Sequence, residues 1–390
     1  MKKININSSR TPVYRDSGFE LYSADITASN FRDETDNERE PGMYIYSRYR
    51  NPTVVAAEEE IMRIERCKWA LLTQSGMSAI DTALSVFQKG KDTGTWLFFS
   101  EIYGGTLSFC ETILRNKRGI NLQYFEPENG RCNLISLEQV YRKTKPALCY
   151  VETVSNPLLM VVDIPEIVRI SMEYGVKVIV DNTFATPYLF RPLDHGADLV
   201  LHSATKYLSG HGNITAGVLC GNDNELMKQA LEYRKFTGHM LSPDDAYRLN
   251  TQLKTFELRF QKQCTNAATL ASWLHGNDVI ERVYYPGLES HATHNEAIKL
   301  LGNRGFGAMI TIDFAGKGPE EKRYRRDMFI KNVSGKIKLI PTLGDPSTIL
   351  MPVESVWGAK YPEPGMIRLS IGFEEYSEIH SVIEKALKSF

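Results

Sequence analysis

One stretch, residues 176–217, constrains the fold of this chain more than any other. It contains two short apolar runs rich in branched side chains, at 176–180 and 199–201, without alternating polar residues. Such runs are typical of strands buried on both faces of a parallel sheet. Asp181 follows the first run and Lys206 lies just beyond the second. Ligands bind at the edge of an open α/β sheet where parallel strands end, so we predict that this acid and this lysine face one site.

The acid and the lysine suit pyridoxal phosphate (PLP). This cofactor needs a lysine amine to form a Schiff base with its aldehyde, and its pyridine nitrogen needs an acid to stay protonated. Lys206 is the candidate lysine and Asp181 the candidate partner of the nitrogen. Ser203 and Thr205 flank the lysine with hydroxyls that can donate to the phosphate. Lys206 alone reads more simply as a surface lysine beside an Asp-Asn turn, whereas the whole stretch favours the cofactor.

The stretch resembles the lysine signature of the Cys/Met-metabolism family of PLP enzymes. The likeness runs almost residue by residue through VDNTFATPYLFRPLDHGADLVLHSATKY and on through LSGHGNITAG. The family includes cystathionine γ-synthase, cystathionine γ-lyase, methionine γ-lyase and the O-acylhomoserine sulfhydrylases. The resemblance implies an α/β fold, the fold type I PLP-dependent transferase. Such a fold has a large domain with a mostly parallel sheet and a smaller C-terminal α+β domain.

We predict three parts of the chain, with 1–50 as an N-terminal arm, 51–250 as the PLP-binding domain and 251–390 as the C-terminal domain. From its residues, the beginning of the chain reads as a polar, irregular, solvated arm. The resemblance implies instead an extended arm that contacts a neighbouring subunit. The pattern changes near 235–260, where Pro243 favours the start of a helix.

Two further pairs of residues are candidates for binding the phosphate. Tyr46 and Arg48 lie two apart, so an extended strand would place a phenol and a guanidinium on one face. Gly76 and Met77 open a predicted helix, whose first backbone amides can bind a phosphate. Without other information, these pairs read as a surface strand and an ordinary helix cap. The resemblance implies that the second pair holds the phosphate and that the first pair binds that of the adjacent subunit, so that active sites are shared.

Tyr103 follows a predicted strand and precedes two glycines, so its ring can reach the site. An aromatic ring there would stack on the cofactor, and its phenol could move protons. The alternative is a plain loop tyrosine, and the resemblance of this segment to the YGGT motif of the family favours the first reading. Gly105 stands where methionine γ-lyases typically carry cysteine, which counts against methionine as the preferred substrate.

Arg368 lies inside an apolar strand, where a buried charge needs a partner. That partner is either a protein carboxylate or, as the resemblance of this strand to VRLSVGIE implies, the α-carboxylate of a substrate. By the same resemblance, Asn156 and Thr342 contact the substrate carboxylate. Pro341 replaces the glutamate that the cystathionine enzymes usually carry, and MPVESVWGAKYPEPG replaces their HPAxMTH motif. The pocket for the far end of the substrate is therefore predicted to be altered.

We predict a transsulfuration enzyme that eliminates the γ-substituent of a sulfur amino acid or homoserine derivative, as cystathionine γ-lyase does. Replacement of that substituent on an O-acylhomoserine, as in cystathionine γ-synthase, needs the same cofactor contacts and stays open. A methionine γ-lyase, a non-catalytic scaffold and an aminotransferase of the same fold type are weaker alternatives. The complete set of Lys206, Asp181, Tyr103 and Arg368 argues against the scaffold.

Charge and composition argue against other classes of protein. A net charge of −1 gives no strong attraction to nucleic acid or to an anionic membrane. No apolar run approaches the roughly 18 residues of a membrane span, and the first residues lack the apolar stretch of a signal peptide. The six cysteines are scattered, and His291 and His294 have no third ligand nearby, so we predict neither disulfides nor a metal. We expect a cytoplasmic homo-oligomer that acts on a small amino-acid substrate and, by the resemblance, is a dimer of dimers.

Overall fold

The computed structural model describes residues 10–33, 44–90 and 94–390. Within them, seven strands form the larger sheet, with bounds Trp69–Thr73 (β1), Thr95–Phe99 (β2), Asn121–Phe125 (β3), Leu148–Glu152 (β4), Lys177–Asp181 (β5), Leu199–His202 (β6) and Gly217–Gly221 (β7). Their spatial order is β1-β7-β6-β5-β4-β2-β3. Pairing is parallel from β6 through β3, and β7 runs antiparallel to both of its neighbours. The predicted mostly parallel sheet is confirmed.

A smaller sheet follows in the C-terminal part of the described chain. Its strands are Ile280–Tyr284 (β8), Met309–Phe314 (β9), Lys338–Leu339 (β10), Ile349–Pro352 (β11) and Met366–Ser370 (β12). They lie in the order β10-β11-β12-β9-β8, and all pairs except β10 with β11 are antiparallel. The predicted α+β character of this part is therefore also confirmed.

Helices cover the sheets and connect their strands. Their bounds in the described residues are Ala24–Asp33 (α1), Pro52–Glu65 (α2), Gly76–Val86 (α3), Gly104–Phe109 (α4), Leu134–Thr144 (α5), Ile164–Glu173 (α6), Thr186–Leu189 (α7), Asn224–Thr237 (α8), Pro243–Leu253 (α9), Phe256–His275 (α10), His294–Leu301 (α11), Pro319–Val333 (α12), Glu354–Trp357 (α13) and Tyr376–Leu387 (α14). A π-helical segment, Cys110–Arg115, continues α4, and two 3-10 turns are formed by Pro192–His195 and Gly358–Lys360. None of the described helices is both long and apolar enough to cross a membrane.

The central strands are apolar because both of their faces are covered. Every residue of β4 and β6 is buried, as are four of the five residues of β5. Polar residues appear where these strands end, since Glu152, Asp181 and His202 are their last residues. The register pairs Glu152 with Asp181 on adjacent parallel strands. This register brings two acids side by side at the edge that the sequence marks as the site.

Two local predictions were wrong. The arm is not irregular throughout, because Ala24–Asp33 forms α1. Tyr46 and Arg48 lie in a turn rather than on an extended strand, because the amide of Tyr49 donates to the carbonyl of Tyr46. Pro243 begins α9, as predicted, and α10 follows α9 in the connection to the C-terminal part.

The apolar interior has two main clusters of buried side chains. One surrounds the larger sheet, and the other packs α10, α12 and α14 against the smaller sheet. Helix α10 contributes to both clusters, with Phe256 and Phe260 in the first and Leu270 and Leu274 in the second. The predicted domain limits at residues 50 and 250 stay a prediction.

Candidate active site

A cavity of about 260 Å³ lies at the carboxyl ends of β4, β5 and β6. Ten of the twelve candidate site residues line it, namely Gly76, Met77, Tyr103, Asn156, Asp181, Ser203, Thr205, Lys206, Thr342 and Arg368. They come from segments spread between residues 76 and 368, so the fold assembles one site from distant parts of the chain. Tyr46 and Arg48 do not line this cavity.

Lys206 projects into the cavity from the turn that follows β6. Its amine Nζ donates a hydrogen bond of 2.8 Å to the hydroxyl of Thr342. The segment that carries Thr342 lies close to the backbone of the lysine at Gly344, which has φ +80°. Only glycine fits there, because a Cβ at this position would lie 2.7 Å from the amide nitrogen of Tyr207. Burial, and then the positive charge of Arg368, lower the pKa of Lys206 to about 8. A buried amine with such a pKa is neutral in a substantial fraction of molecules near pH 8 and can act as a nucleophile or base.

Asp181 lies deep at the end of β5. Its carboxylate accepts hydrogen bonds from the amide and hydroxyl of Thr183, at 3.0 and 2.6 Å, and from the hydroxyl of Tyr150, at 3.3 Å. The Thr183 hydroxyl also accepts the amide of Ser203 at 2.8 Å, which joins the ends of β5 and β6. Burial raises the pKa of Asp181 above its ordinary range. A cation placed beside the acid would oppose that shift and keep the acid ionised.

Glu152 is a second buried acid in the cavity, and no role was predicted for it from the sequence. Its carboxylate accepts the backbone amide of Tyr103 at 2.6 Å. Burial, followed by the neighbouring charge of Asp181, raises the pKa of Glu152 well above its ordinary range. One sequence signal could have identified it, because Glu152 ends a buried apolar run in the same way as Asp181.

The start of helix α3 provides a cradle of backbone amides. The Ser75 hydroxyl caps the helix by accepting the amide of Ser78 at 3.1 Å, and the amides of Gly76 and Met77 precede the first intrahelical bond. A Cβ at Gly76 would lie 2.9 Å from the Cβ of Ser203, which follows β6. Glycine is therefore needed for the backbone to approach Ser203 this closely. The Thr205 hydroxyl donates to the carbonyl of Ala216 and accepts its amide, so it already has two partners.

Tyr103 lies at the mouth of the cavity, with its ring half exposed. The ring lies against the backbone of Gly105, where an added Cβ would be 2.4 Å from the Tyr103 Cε1 atom. A cysteine at position 105 would therefore need the Tyr103 ring to move. The absence of a side chain at Gly105 is thus a direct determinant of the ring position.

Arg368 is a buried guanidinium that lines the same cavity. It donates to the Asn156 side-chain oxygen at 3.0 Å and to the backbone carbonyl of Thr342 at 3.1 Å. Its Nε is buried without a hydrogen-bond partner. Burial lowers the pKa of Arg368 to about 10, so the guanidinium stays charged at neutral pH. No carboxylate of the described residues forms an ion pair with this charge. The sequence left two alternatives for the partner of Arg368, and within the described chain the structure does not show the first of them, a salt bridge with a protein carboxylate.

Tyr46 and Arg48 lie together at the surface, away from the cavity of their own chain. The Arg48 guanidinium is 5.3 Å from the centre of the Tyr46 ring and donates to the backbone carbonyl of Lys235 at 2.6 Å. Tyr46 is 39% exposed. The two side chains are thus adjacent, as predicted, but the turn rather than a strand brings them together.

The residues of the cavity fit PLP. A lysine amine of lowered pKa and a buried acid lie at adjacent strand ends. Beside them, α3 begins at a glycine that leaves no room for a side chain. The unpartnered Nε of Arg368 supplies a donor for a carboxylate in the same cavity. These donors and acceptors are the chemical set that a phosphorylated pyridine aldehyde and an amino acid together require.

Comparison with known proteins gives a consistent result. Residues 1–388 match the model of the Cys/Met metabolism PLP-dependent enzymes. The chain is 34% identical over 393 residues to an L-methionine gamma-lyase from Fusobacterium nucleatum subsp. polymorphum, covering 97% of this chain and 93% of the relative. It is 34% identical over 367 residues to a cystathionine beta-lyase from Coxiella burnetii, covering 90% of each.

A solved structure agrees with the sequence relatives. The cystathionine gamma-lyase from Lactobacillus plantarum complexed with L-serine superposes with a TM-score of 0.83 at 27% identity, covering 97% of this chain and 93% of that one. The relatives are PLP-dependent lyases and synthases of sulfur amino-acid metabolism. The chain belongs to the family of Cys/Met metabolism PLP-dependent enzymes.

Proposed function

We propose that this enzyme eliminates the γ-substituent of an L-amino acid, with cystathionine or a related sulfur amino acid as substrate. The observation that carries the proposal is Arg368, a buried cation without a described acidic partner that faces the same cavity as Lys206. Such a cation needs an anion, and the α-carboxylate of an amino acid satisfies its free donors. The names of the relatives support the reaction class.

The roles of the residues follow from their positions. PLP, when bound, supplies a ring that stabilises negative charge at the α-carbon of the substrate. Lys206 would carry the cofactor in the resting enzyme and, as a free amine of lowered pKa, would take the α-proton and return protons at the next carbons. Asp181 holds the pyridine nitrogen in its protonated form. The start of α3 and the Ser203 hydroxyl bind the phosphate.

The substrate is held between the two sides of the cavity. Arg368 binds the α-carboxylate, and Asn156, which already accepts one of its N–H groups, orients the guanidinium. The Thr342 hydroxyl accepts the Lys206 amine at 2.8 Å and so keeps the base beside the carboxylate site. Tyr103, at the cavity mouth, would stack on the cofactor ring and exchange protons with the leaving group.

Two other reactions use the same contacts. γ-Replacement on an O-acylhomoserine is the first alternative, because it needs the same cofactor contacts. Pro341, which lines the cavity where the cystathionine enzymes usually carry glutamate, alters the pocket for either reaction. β-Elimination is the second, because a relative at 34% identity is named a cystathionine beta-lyase. β-Elimination was not among the reactions predicted from the sequence.

Product analysis by mass spectrometry separates the three reactions. Purified enzyme with PLP is given cystathionine alone, or O-acetylhomoserine together with cysteine. The proposal expects cysteine, 2-oxobutyrate and ammonia from the first mixture and little cystathionine from the second. Homocysteine and pyruvate from the first mixture would establish β-elimination instead, and new cystathionine in the second would establish γ-replacement.

We further propose that each active site is shared between two subunits, with Tyr46 and Arg48 binding the phosphate of the partner. The support is that these residues are adjacent to each other and yet outside the cavity of their own chain. A dimer with one Lys206→Ala subunit and one Arg48→Ala subunit then contains one complete site. Differently tagged subunits are co-expressed, and doubly tagged dimers are purified.

The mixed dimer is expected to recover about half of the wild-type activity per dimer, because two-fold symmetry gives one intact and one doubly damaged site. Each homodimeric variant serves as its own control and should be nearly inactive. Mixed dimers as inactive as the two parents would contradict shared sites. The further expectation of a tetramer is tested by the mass of the same preparation in solution.

The tight approach at Gly76 predicts a specific loss of cofactor affinity. A Gly76→Ala variant forces the start of α3 away from Ser203, and overpacking of this kind typically changes a binding constant by roughly tenfold to a hundredfold. Titration of the apo-protein with PLP, followed by absorbance, measures the effect. Gly104→Ala is the matched control, because Gly104 also begins a helix and an added Cβ there meets no atom within 4 Å. Equal PLP affinity of both variants would contradict the proposed phosphate cradle.

A further inference from the structure

The connection between β11 and β12 makes an excursion, residues 353–361, that we call the 353–361 segment. Its first helical residue, Glu354, accepts hydrogen bonds from Arg323 at 2.6 Å and from Arg326 at 2.8 Å, both on α12. These two arginines lower the pKa of Glu354 to about 2, so this ion pair persists throughout the neutral range. The beginning of the segment is therefore fixed to the smaller sheet domain.

The end of the segment is fixed to the loop that carries Tyr103. The Lys360 amine donates to the backbone carbonyl of Ser100 at 2.5 Å and lies 3.3 Å from the carboxylate of Glu101. The buried Tyr361 hydroxyl donates to the same carboxylate. The segment thus bridges from α12 to the residues immediately before Tyr103.

Trp357 lies between these two anchors and covers one face of Arg368. The guanidinium carbon is 5.4 Å from the centre of the indole ring, within the range of a cation–π contact. Asn156 and the Thr342 carbonyl take two of the five N–H groups of the guanidinium. With one face covered and two donors held, the remaining donors, including the unpartnered Nε, keep a fixed orientation.

We propose that Trp357 is a positioning residue for Arg368, and that the Tyr361–Glu101 bond holds it there by fixing the 353–361 segment to the Tyr103 loop. This inference rests on the proposed function in one respect, that Arg368 receives the carboxylate of an amino acid. It adds a determinant of substrate affinity in the part of the chain that differs most from the family pattern. Trp357 acts through the orientation and desolvation of the guanidinium and does not itself contact the reacting atoms.

A titration that needs no turnover tests this inference. PLP-loaded enzyme is titrated with L-alanine, which has the α-carboxylate but no γ-substituent, and the cofactor absorbance reports binding. Trp357→Leu is expected to raise the Kd for L-alanine roughly threefold to thirtyfold, the range of a partly desolvated cation–π contact. The Kd for propylamine, which lacks the carboxylate, should not change. Trp357→Phe keeps an aromatic face and should restore most of the affinity.

Two further variants guard against a general loss of structure. Val356→Ala alters an exposed neighbour in the same helical turn and is expected to bind L-alanine like the wild type. Tyr361→Phe removes only the hydroxyl that bonds Glu101, and should weaken L-alanine binding in the same direction as Trp357→Leu. With any substrate that turns over, KM should rise while kcat stays within about twofold, since the reacting groups are unchanged.

The outcomes distinguish this inference from the proposed function. Unchanged L-alanine affinity in Trp357→Leu, or equal weakening of L-alanine and propylamine, would overturn the positioning role whatever reaction the enzyme performs. Carboxylate-specific weakening in an enzyme that does not eliminate γ-substituents would support the role and overturn the proposed reaction. Failure of the wild type to bind L-alanine would overturn both.

Discussion

Replacing Lys206 with alanine is expected to lower turnover by at least about a thousandfold, because the same amine both carries the cofactor and moves the substrate protons. The variant should also lose the absorbance of lysine-bound PLP while folding normally, since Lys206 makes one side-chain hydrogen bond, to Thr342. Steady-state rates and absorbance spectra measure the two effects. Lys177→Ala is the control, because Lys177 begins β5 at the other end of the strand, where its ion pair is half exposed.

A Lys206→Ala variant with wild-type turnover would remove the lysine from the reaction. A variant that lost the cofactor but kept its biological effect would instead favour the non-catalytic scaffold. Neither result is expected, because Lys206 lines the same cavity as Asp181 and Arg368, and its amine bonds Thr342 within that cavity.

Replacing Arg368 with lysine is expected to produce the second largest effect. A lysine keeps the charge but loses the planar fork of donors, so one of the two hydrogen bonds to the carboxylate is lost, and a hydrogen bond to a charged group contributes about 1.5–3 kcal/mol. We expect kcat/KM to fall by roughly tenfold to a hundredfold, mainly through KM. Steady-state kinetics over a range of substrate concentrations separates KM from kcat.

Arg234→Lys is the matched control for Arg368→Lys. Arg234 is also a buried arginine, but it donates to Glu58 at 2.6 Å and therefore already has its anion within the protein. Its replacement should lower thermal stability and leave KM unchanged. If the Arg368 variant behaved in the same way, with lower stability and unchanged KM, Arg368 would be a structural residue.

The sheet and the place of the site were predictable from local sequence patterns. The buried runs around β5 and β6 are apolar without alternation and end in polar residues, so both the strands and the functional edge follow from the sequence. The helix starts were equally local, since Pro243 and the Ser75-Gly76 step mark α9 and α3 directly. Individual roles, such as that of Asn156, needed the resemblance, because an Asn-Pro step alone indicates only a turn.

What the sequence did not reveal depends on register and on long-range contact. Glu152 gains its significance from lying beside Asp181, and only the pairing of β4 with β5 establishes that neighbourhood. Trp357 and Arg368 meet because the 353–361 segment folds back over β12, and no periodicity predicts such a contact. The turn at Tyr46 likewise depends on the backbone amides of Tyr49 and Arg50, which both donate to the Tyr46 carbonyl, and an alternating pattern cannot indicate these bonds.

Chemical fixation of the cofactor tests most directly whether this cavity is the PLP site. PLP-loaded enzyme is reduced with borohydride, digested and mapped by mass spectrometry, so that the cofactor stays on the lysine that carried it. The structure predicts the added mass on the peptide that contains Lys206, and its loss in the Lys206→Ala variant. A label on a different lysine, or no label on protein that has bound PLP, would contradict the assignment of Lys206 and of the site built around it.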